Sequence, residues 1–193
     1  MRNTLSGWIT KSAIFLGISL AASGIASGQA IVTADRGAAI TPFVTSTLVR
    51  PDWGQLNNIG ITAGVDYTRF TRTLIQPSLE LRMTHANGKQ VSENSYLTGF
   101  KLETSIHRIH PYATLLAGMG YIGFKNQPNY TSDSSFIYSL GGGAEFNVLP
   151  SWKVRADFTE QHWNLDPQIL TPMSFGVGLS YSIPFHKSGG WVH

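Results

Sequence analysis

Nine charged side chains fall in five short stretches of the chain: Asp66; Glu80 and Arg82; Lys101 and Glu103; Glu145; and Lys153, Arg155 and Asp157. An i, i+2 spacing places side chains on one face of an extended strand. Such a set can line an open channel and conduct ions. Packed into a narrow interior, the same acids and bases neutralise one another and close it. The other chemistry-bearing residues offer less. His107 and His110 in HRIH lie three apart, but no third ligand accompanies them and strand geometry does not unite the pair. Gly141 to Gly143 lack the following Lys-Ser/Thr and the helix of a phosphate loop. They read instead as a bend, or as close packing beneath an interior Arg or Lys. No catalytic, cofactor-binding or metal-binding residue is assigned.

The elements that would position the charges are strands. Segments near 39–50, 58–70, 77–86, 95–106, 111–124, 134–148, 151–163 and 172–185 recur between turn-forming clusters, without helix signals. The last is the clearest. In TPMSFGVGLSYSIPF, Met173, Phe175, Val177, Leu179, Tyr181, Ile183 and Phe185 alternate with small residues, Pro184 excepted. Similar alternation sets Leu79, Leu81 and Met83 against Glu80 and Arg82, and Val154, Ala156 and Phe158 against Arg155 and Asp157. Strand one is ambiguous in phase, and strand five is blurred because Leu116 and Ile122 fall on its Gly/Thr face.

Eight such segments predict an all-β, eight-stranded antiparallel up-and-down barrel. Its interior is only wide enough for ordinary side chains, so eight rows of Leu, Phe, Tyr and Met do not fit inside. The polar faces point inward instead. Five acids and four bases then nearly cancel in the lumen and plug it, and the apolar rows, Met173 to Ile183 among them, face lipid. A closed barrel satisfies every backbone group without a free edge, as a transmembrane β-barrel must.

The N-terminus indicates export. Arg2 and Lys11 precede the apolar run 13–22, and Gly28 and Ala30 give a small-x-small cleavage pattern. Residues 1–30 are read as a signal peptide and 31–193 as the barrel domain. Fourteen basic residues less Arg2 and Lys11 leave twelve against eleven acids, a net charge near +1 with no basic block for nucleic acid. With no cysteine, neither a disulfide framework nor a lipid-anchored N-terminus is expected.

With both mature termini in the periplasm, the odd connections lie outside. These are RPDWGQLNN, ANGKQVSEN, KNQPNYTSDS and NLDPQILTP, longer than TRTLIQ, HRIH and VLPS on the other side. Trp152, Phe146 and Phe185 at one end, and Tyr96 and Trp163 at the other, suit interfacial girdles. Trp53 in the first outer loop is a candidate partner contact.

Together GVDYTRF (64–70), PSLELRMT (77–84), HPYATLLAGMGYIGF (110–124), YSLGGGAEF (138–146), VRADF (154–158) and the strand ending at Phe185 resemble the outer membrane β-barrel domain family, similar to the small OmpA/OmpX-type barrels. That resemblance implies a Gram-negative-type outer membrane and insertion by the outer-membrane assembly machinery, with Phe185 as a candidate assembly signal although HKSGGWVH follows it. Some small barrels of this kind modify lipid A with an outward His and Ser. Here His162 is followed two residues on by Asn164, so the dyad is absent. The expectation is a monomeric structural or surface-interaction protein, neither an enzyme nor cofactor-dependent, contacting outer-membrane lipid and an extracellular partner through its outer loops. A narrow pore for small solutes is the alternative.

Overall fold

The computed structural model describes residues 37–52, 57–71, 73–125, 131–165 and 168–185. The expected signal peptide, Trp53 and the tail after Phe185 lie outside them. Seven long strands run in chain order: β1 (Ala38–Arg50), β2 (Asn58–Arg69), β3 (Ile75–Asn87), β4 (Val91–Thr104), β5 (Ile109–Phe124), β6 (Thr131–Asn147) and β7 (Trp152–Leu165). The eighth stave is built from β8 (Gln168–Leu170), β9 (Met173–Tyr181) and β10 (Ile183–Phe185). Each stave pairs antiparallel with its chain neighbour. The sheet closes where Ala38 meets Phe185 and Arg50 meets Met173. The result is a closed eight-stranded antiparallel barrel. Pro184, which cannot donate to a ladder, sits opposite Ala39 at the rim where both chain ends emerge.

Alternation in the sequence becomes inside and outside in the barrel. Met173, Phe175, Val177, Leu179, Tyr181 and Ile183 all point outward, between 38 and 55% exposed. Ser174 and Ser180 between them are buried. The phase of β1 is resolved: Thr41, Phe43, Thr45, Thr47 and Val49 point inward, with Val44 and Leu48 outward. Leu116 and Ile122 of β5 are indeed interior, for they belong to an apolar cluster described below.

The expected contrast between long and short connections holds for the first and fifth, 51–57 and 125–130 against 70–74, 105–108 and 148–151, but not for the third and seventh. The third connection shrinks to residues 88–90, since β3 and β4 pair as far as Asn87 and Ser92. The hairpin closes with Gly88 N–H donating to the Val91 carbonyl at 3.0 Å. In the seventh, β8 folds back on β7 through Asn164 opposite Ile169. At the third, the outward positions His85, Asn87, Ser92 and Asn94 are polar while Ala86 and Val91 are buried, so the outward apolar row ends although backbone pairing continues. The strands thus run past the apolar band at the end opposite the termini, called here the far end. The seam between first and last staves is clasped there by Asp52, whose carboxylate accepts from Thr171 N–H at 3.1 Å and its hydroxyl at 3.0 Å.

Candidate functional site: the charged cluster inside the barrel

All nine sequence-selected charges point into the lumen, in the half nearer the chain termini, and form one connected network. Arg155 is its centre and is fully buried. Its guanidinium reaches Asp66 at 2.9 Å, Glu80 at 3.1 Å, Asp157 at 3.2 Å and Glu145 at 3.3 Å. Lys101 bridges Asp66 at 2.8 Å, Glu103 at 3.1 Å and Glu145 at 3.2 Å. Arg82 holds Glu80 at 2.6 Å and Asp157 at 3.5 Å. Lys153 closes the terminal side on Glu145 at 2.8 Å and Glu103 at 3.7 Å. Every acid therefore has at least two cationic partners, the condition under which buried charges are tolerated.

Register explains how so many long side chains fit. Asp157 lies opposite Gly143 and Gly176, and Arg155 opposite Gly178. Gly143 also answers the sequence question about the glycine run: a Cβ there would stand 2.6 Å from the Tyr112 hydroxyl. That position must stay bare for the Tyr112 ring to enter the cluster.

Two aromatic residues complete the site, and neither was selected from the sequence. Arg155 is sandwiched between Phe43, 3.7 Å from the ring centroid, and Tyr112 at 4.8 Å. Lys101 stands 4.4 Å above the same Tyr112 ring. Cations over desolvated ring faces gain about 2 kcal/mol or more. Phe43 escaped because the phase of β1 was unreadable. Tyr112 escaped because a tyrosine in a barrel strand reads first as an interfacial residue.

The far half of the lumen is filled differently. Val91, Leu97, Leu116, Ile122, Ile137, Trp163, Leu165 and Leu170 form an apolar plug there. Trp163, expected in an outward girdle, is instead 1% exposed and donates its indole N–H to Gln161 at 3.0 Å. The bare Gly120 makes room for it, since a Cβ would meet its ring at 2.5 Å. Against the plug, Thr47, Thr62 and Thr84 link three strands through hydroxyl contacts of 2.8 and 2.9 Å. Two stacked fillings, one ionic and one apolar, thus occupy the bore.

The family described as outer membrane protein beta-barrel domain matches residues 13–182. The chain belongs to that family. Its barrel is superposable on Neisserial surface protein A (TM-score 0.52, 8% identity, 75% of this chain and 96% of that one). It is equally similar to Ail, the attachment invasion locus protein of Yersinia pestis (TM-score 0.52, 17% identity, 78% and 100% covered). No curated protein sequence matches the chain. As a member of this family the protein is an outer-membrane β-barrel.

Two further sets of residues have defined places in this outer-membrane barrel. His110 is held between Glu103, 3.2 Å from Nδ1, and Asn147, 2.9 Å from Nε2, while His107 is exposed in the adjoining turn. Both ring nitrogens of His110 are thereby engaged. His162 lies on the outer surface of β7, stacked on Tyr138 with ring centroids 4.6 Å apart and 3.2 Å from Glu160.

Proposed function

We propose that the protein is a sealed, non-enzymatic outer-membrane barrel whose activity resides on its far-end surface, presented to the cell exterior. In this reading residues 1–30 are removed on export, both mature termini lie in the periplasm, and Phe185 ends the strand that the assembly machinery recognises. The nine lumen charges serve as a plug, and the row from Met173 to Ile183 meets lipid. The observation carrying the proposal is the four-carboxylate shell around Arg155, at 2.9 to 3.3 Å, stacked beneath the apolar plug. A lumen whose charges are matched in this way offers a permeating ion no unpaired site.

With the bore filled, the surfaces left for function are the lipid-facing wall and the far rim. Between β3 and β4 the rim is a tight hairpin, paired as far as Asn87 and Ser92, and the described residues of the rim expose Arg50, Lys89 and Lys125. Ail has been crystallised with the heparin analogue sucrose octasulfate (TM-score 0.50, 18% identity, 77% of this chain and 99% of that one). That precedent supports an extracellular partner for this rim. Planar-bilayer recording of the refolded protein tests the sealed reading. The expected trace carries no defined single-channel steps; reproducible unitary steps, abolished by boiling the sample, would overturn it in favour of a narrow pore.

A further inference from the structure

Besides the five acids of the cluster, the bore holds another buried carboxylate, Glu93 of β4, 6% exposed. Each of the five has at least two cations, and Glu93 has none. Among the described residues no Lys, Arg or His pairs with it, and its one hydrogen bond comes from the Asn58 side-chain amide at 3.4 Å. The stretches 53–56, 126–130 and 166–167 of the far-end connections contain no Lys, Arg or His either. Register surrounds the carboxyl with uncharged side chains. Glu93 lies opposite Ala86 of β3 and Ile122 of β5, both buried, as is Asn58 of β2. An isolated buried carboxylate costs far more as the anion than as the acid. Glu93 stands past the apolar band, where its outward neighbours Ser92 and Asn94 are polar, and burial pushes its carboxyl up to about 7.

Asn58 connects this carboxyl to the tip of the β3–β4 hairpin. Its amide donates to Glu93, and its side-chain oxygen fills the space that a Cβ at Gly88 would take. The tip is tied down by Gly88 N–H donating to the Val91 carbonyl at 3.0 Å and Lys125 N–H to the Gln90 carbonyl at 2.8 Å. The Lys125 ammonium adds bonds to the Gly88 carbonyl, at 2.8 Å, and to the Asn87 amide oxygen. The residues facing Glu93 from β2, β3 and β5 are Asn58, Ala86 and Ile122, none of them titratable. The charged and titratable groups around the tip are all exposed. His85 points outward and bonds Asn94, Lys89 stands in the turn, and Asp133 of β6 lies across β5 at the mouth. Arg50 and Asp52 end the first stave. An ionised Glu93 therefore has no cation to meet inside and gains by reaching water, and the tip begins three residues away at Gln90.

We propose that Glu93 is a proton-operated latch on the β3–β4 hairpin: protonated, it lets the tip close on Lys125, and ionised, it releases the tip. Lys89 and Lys125, two exposed cations of the far rim, move with that tip, so one proton sets how firmly this part of the rim is held. The inference does not require that the rim bind a partner or that the far end face the cell exterior. Its sign follows from linkage. Closed, Glu93 keeps its proton up to about 7; opened to water, it releases it at the ordinary value of about 4.5. The proton's contribution to closure is full below about 4.5 and is lost as the pH rises through about 7.

Amide hydrogen exchange of the full barrel in phosphatidylcholine nanodiscs, read by NMR, reports the latch. Protection factors divide out the intrinsic pH dependence of exchange. Between about pH 5.5 and about pH 8.5 the two Glu93 values make opening about thirtyfold more favourable. Protection at the Gly88 and Lys125 amides is expected to fall by that factor. The Asn147 amide, bonded to the Arg108 carbonyl at the opposite end, is expected to stay constant. Glu93→Gln, which keeps the shape without the titration, is expected to hold the tip closed at both pH values. His85→Gln is expected to leave the wild-type response intact. Protection at the tip that does not change with pH, a response that survives in Glu93→Gln, or one that vanishes in His85→Gln overturns the proposal. Should Glu93→Gln fail to fold, the carboxyl carbon shift of Glu93 in the wild-type barrel decides. A midpoint near 7 supports the latch, and one near 4.5 overturns it.

Discussion

Replacing Arg155 by Met removes the hub of the lumen while roughly preserving side-chain length and packing. Four carboxylates lose a partner at once. Asp66 and Glu145 keep Lys101 at 2.8 and 3.2 Å, and Glu80 keeps Arg82 at 2.6 Å. Asp157 retains only Arg82 at 3.5 Å. The cluster falls from five acids and four bases to five and three, and each facing ring loses one cation, Phe43 keeping only Arg82 at 5.7 Å and Tyr112 keeping Lys101 at 4.4 Å. Breaking a buried ion pair by removing one partner costs about 3 to 5 kcal/mol, and the Arg155→Met barrel is expected to be destabilised by that amount. Urea unfolding in lipid vesicles, followed by tryptophan fluorescence and by gel mobility, measures it. Adding Asp157→Asn should recover part of the loss, because it removes the carboxylate left with the weakest remaining partner; coupling between contacting residues is about 0.5 to 3 kcal/mol. A cost below about 1 kcal/mol, typical of solvent-exposed ion pairs, would refute the reasoning and show that the lumen charges are wet.

Two further outcomes follow from the same structure. Val177→Lys, on the outward row of β9, should destabilise the folded barrel by about 2 to 4 kcal/mol, and Met173→Lys near the far end of that row by about 0 to 1 kcal/mol; vesicle-based unfolding of both distinguishes depth from mere exposure. Trp163→Ala should open a cavity in the apolar plug and cost about 3 to 5 kcal/mol, measurable in the same assay, whereas an outward girdle residue would cost far less.

The barrel was legible because its strands alternate within an apolar band, where one face must differ from the other. TPMSFGVGLSYSIPF carries that contrast at nearly every position. The nine lumen charges were legible for the same reason, each falling on the small or polar face of a strand. Their partners were not, because Arg155 and Glu80 are 75 residues apart and meet only across the bore. Phe43 and Tyr112 were hidden because an aromatic ring is compatible with lipid, interface and lumen alike, and only register decides. Trp163 was misplaced although the alternation of β7 puts it on the same face as Arg155 and Asp157: a tryptophan near a strand end suits a girdle, and the bare Gly120 leaves its ring room inside. The third and seventh connections were overestimated because polar residues such as Asn87, Ser92 and Asn164 stand on the outward face there, so composition does not distinguish a paired hairpin from a loop.

Spin-label accessibility along the closing strand tests the central claim most directly. The chain contains no cysteine, so single-cysteine variants from Met173 to Tyr181 can each carry one nitroxide in a lipid bilayer. Collision with oxygen, which concentrates in lipid, should peak at Met173, Phe175, Val177, Leu179 and Tyr181 and fall at the positions between them. Maxima at Ser174, Gly176, Gly178 and Ser180, or accessibility without a period of two, would contradict the account.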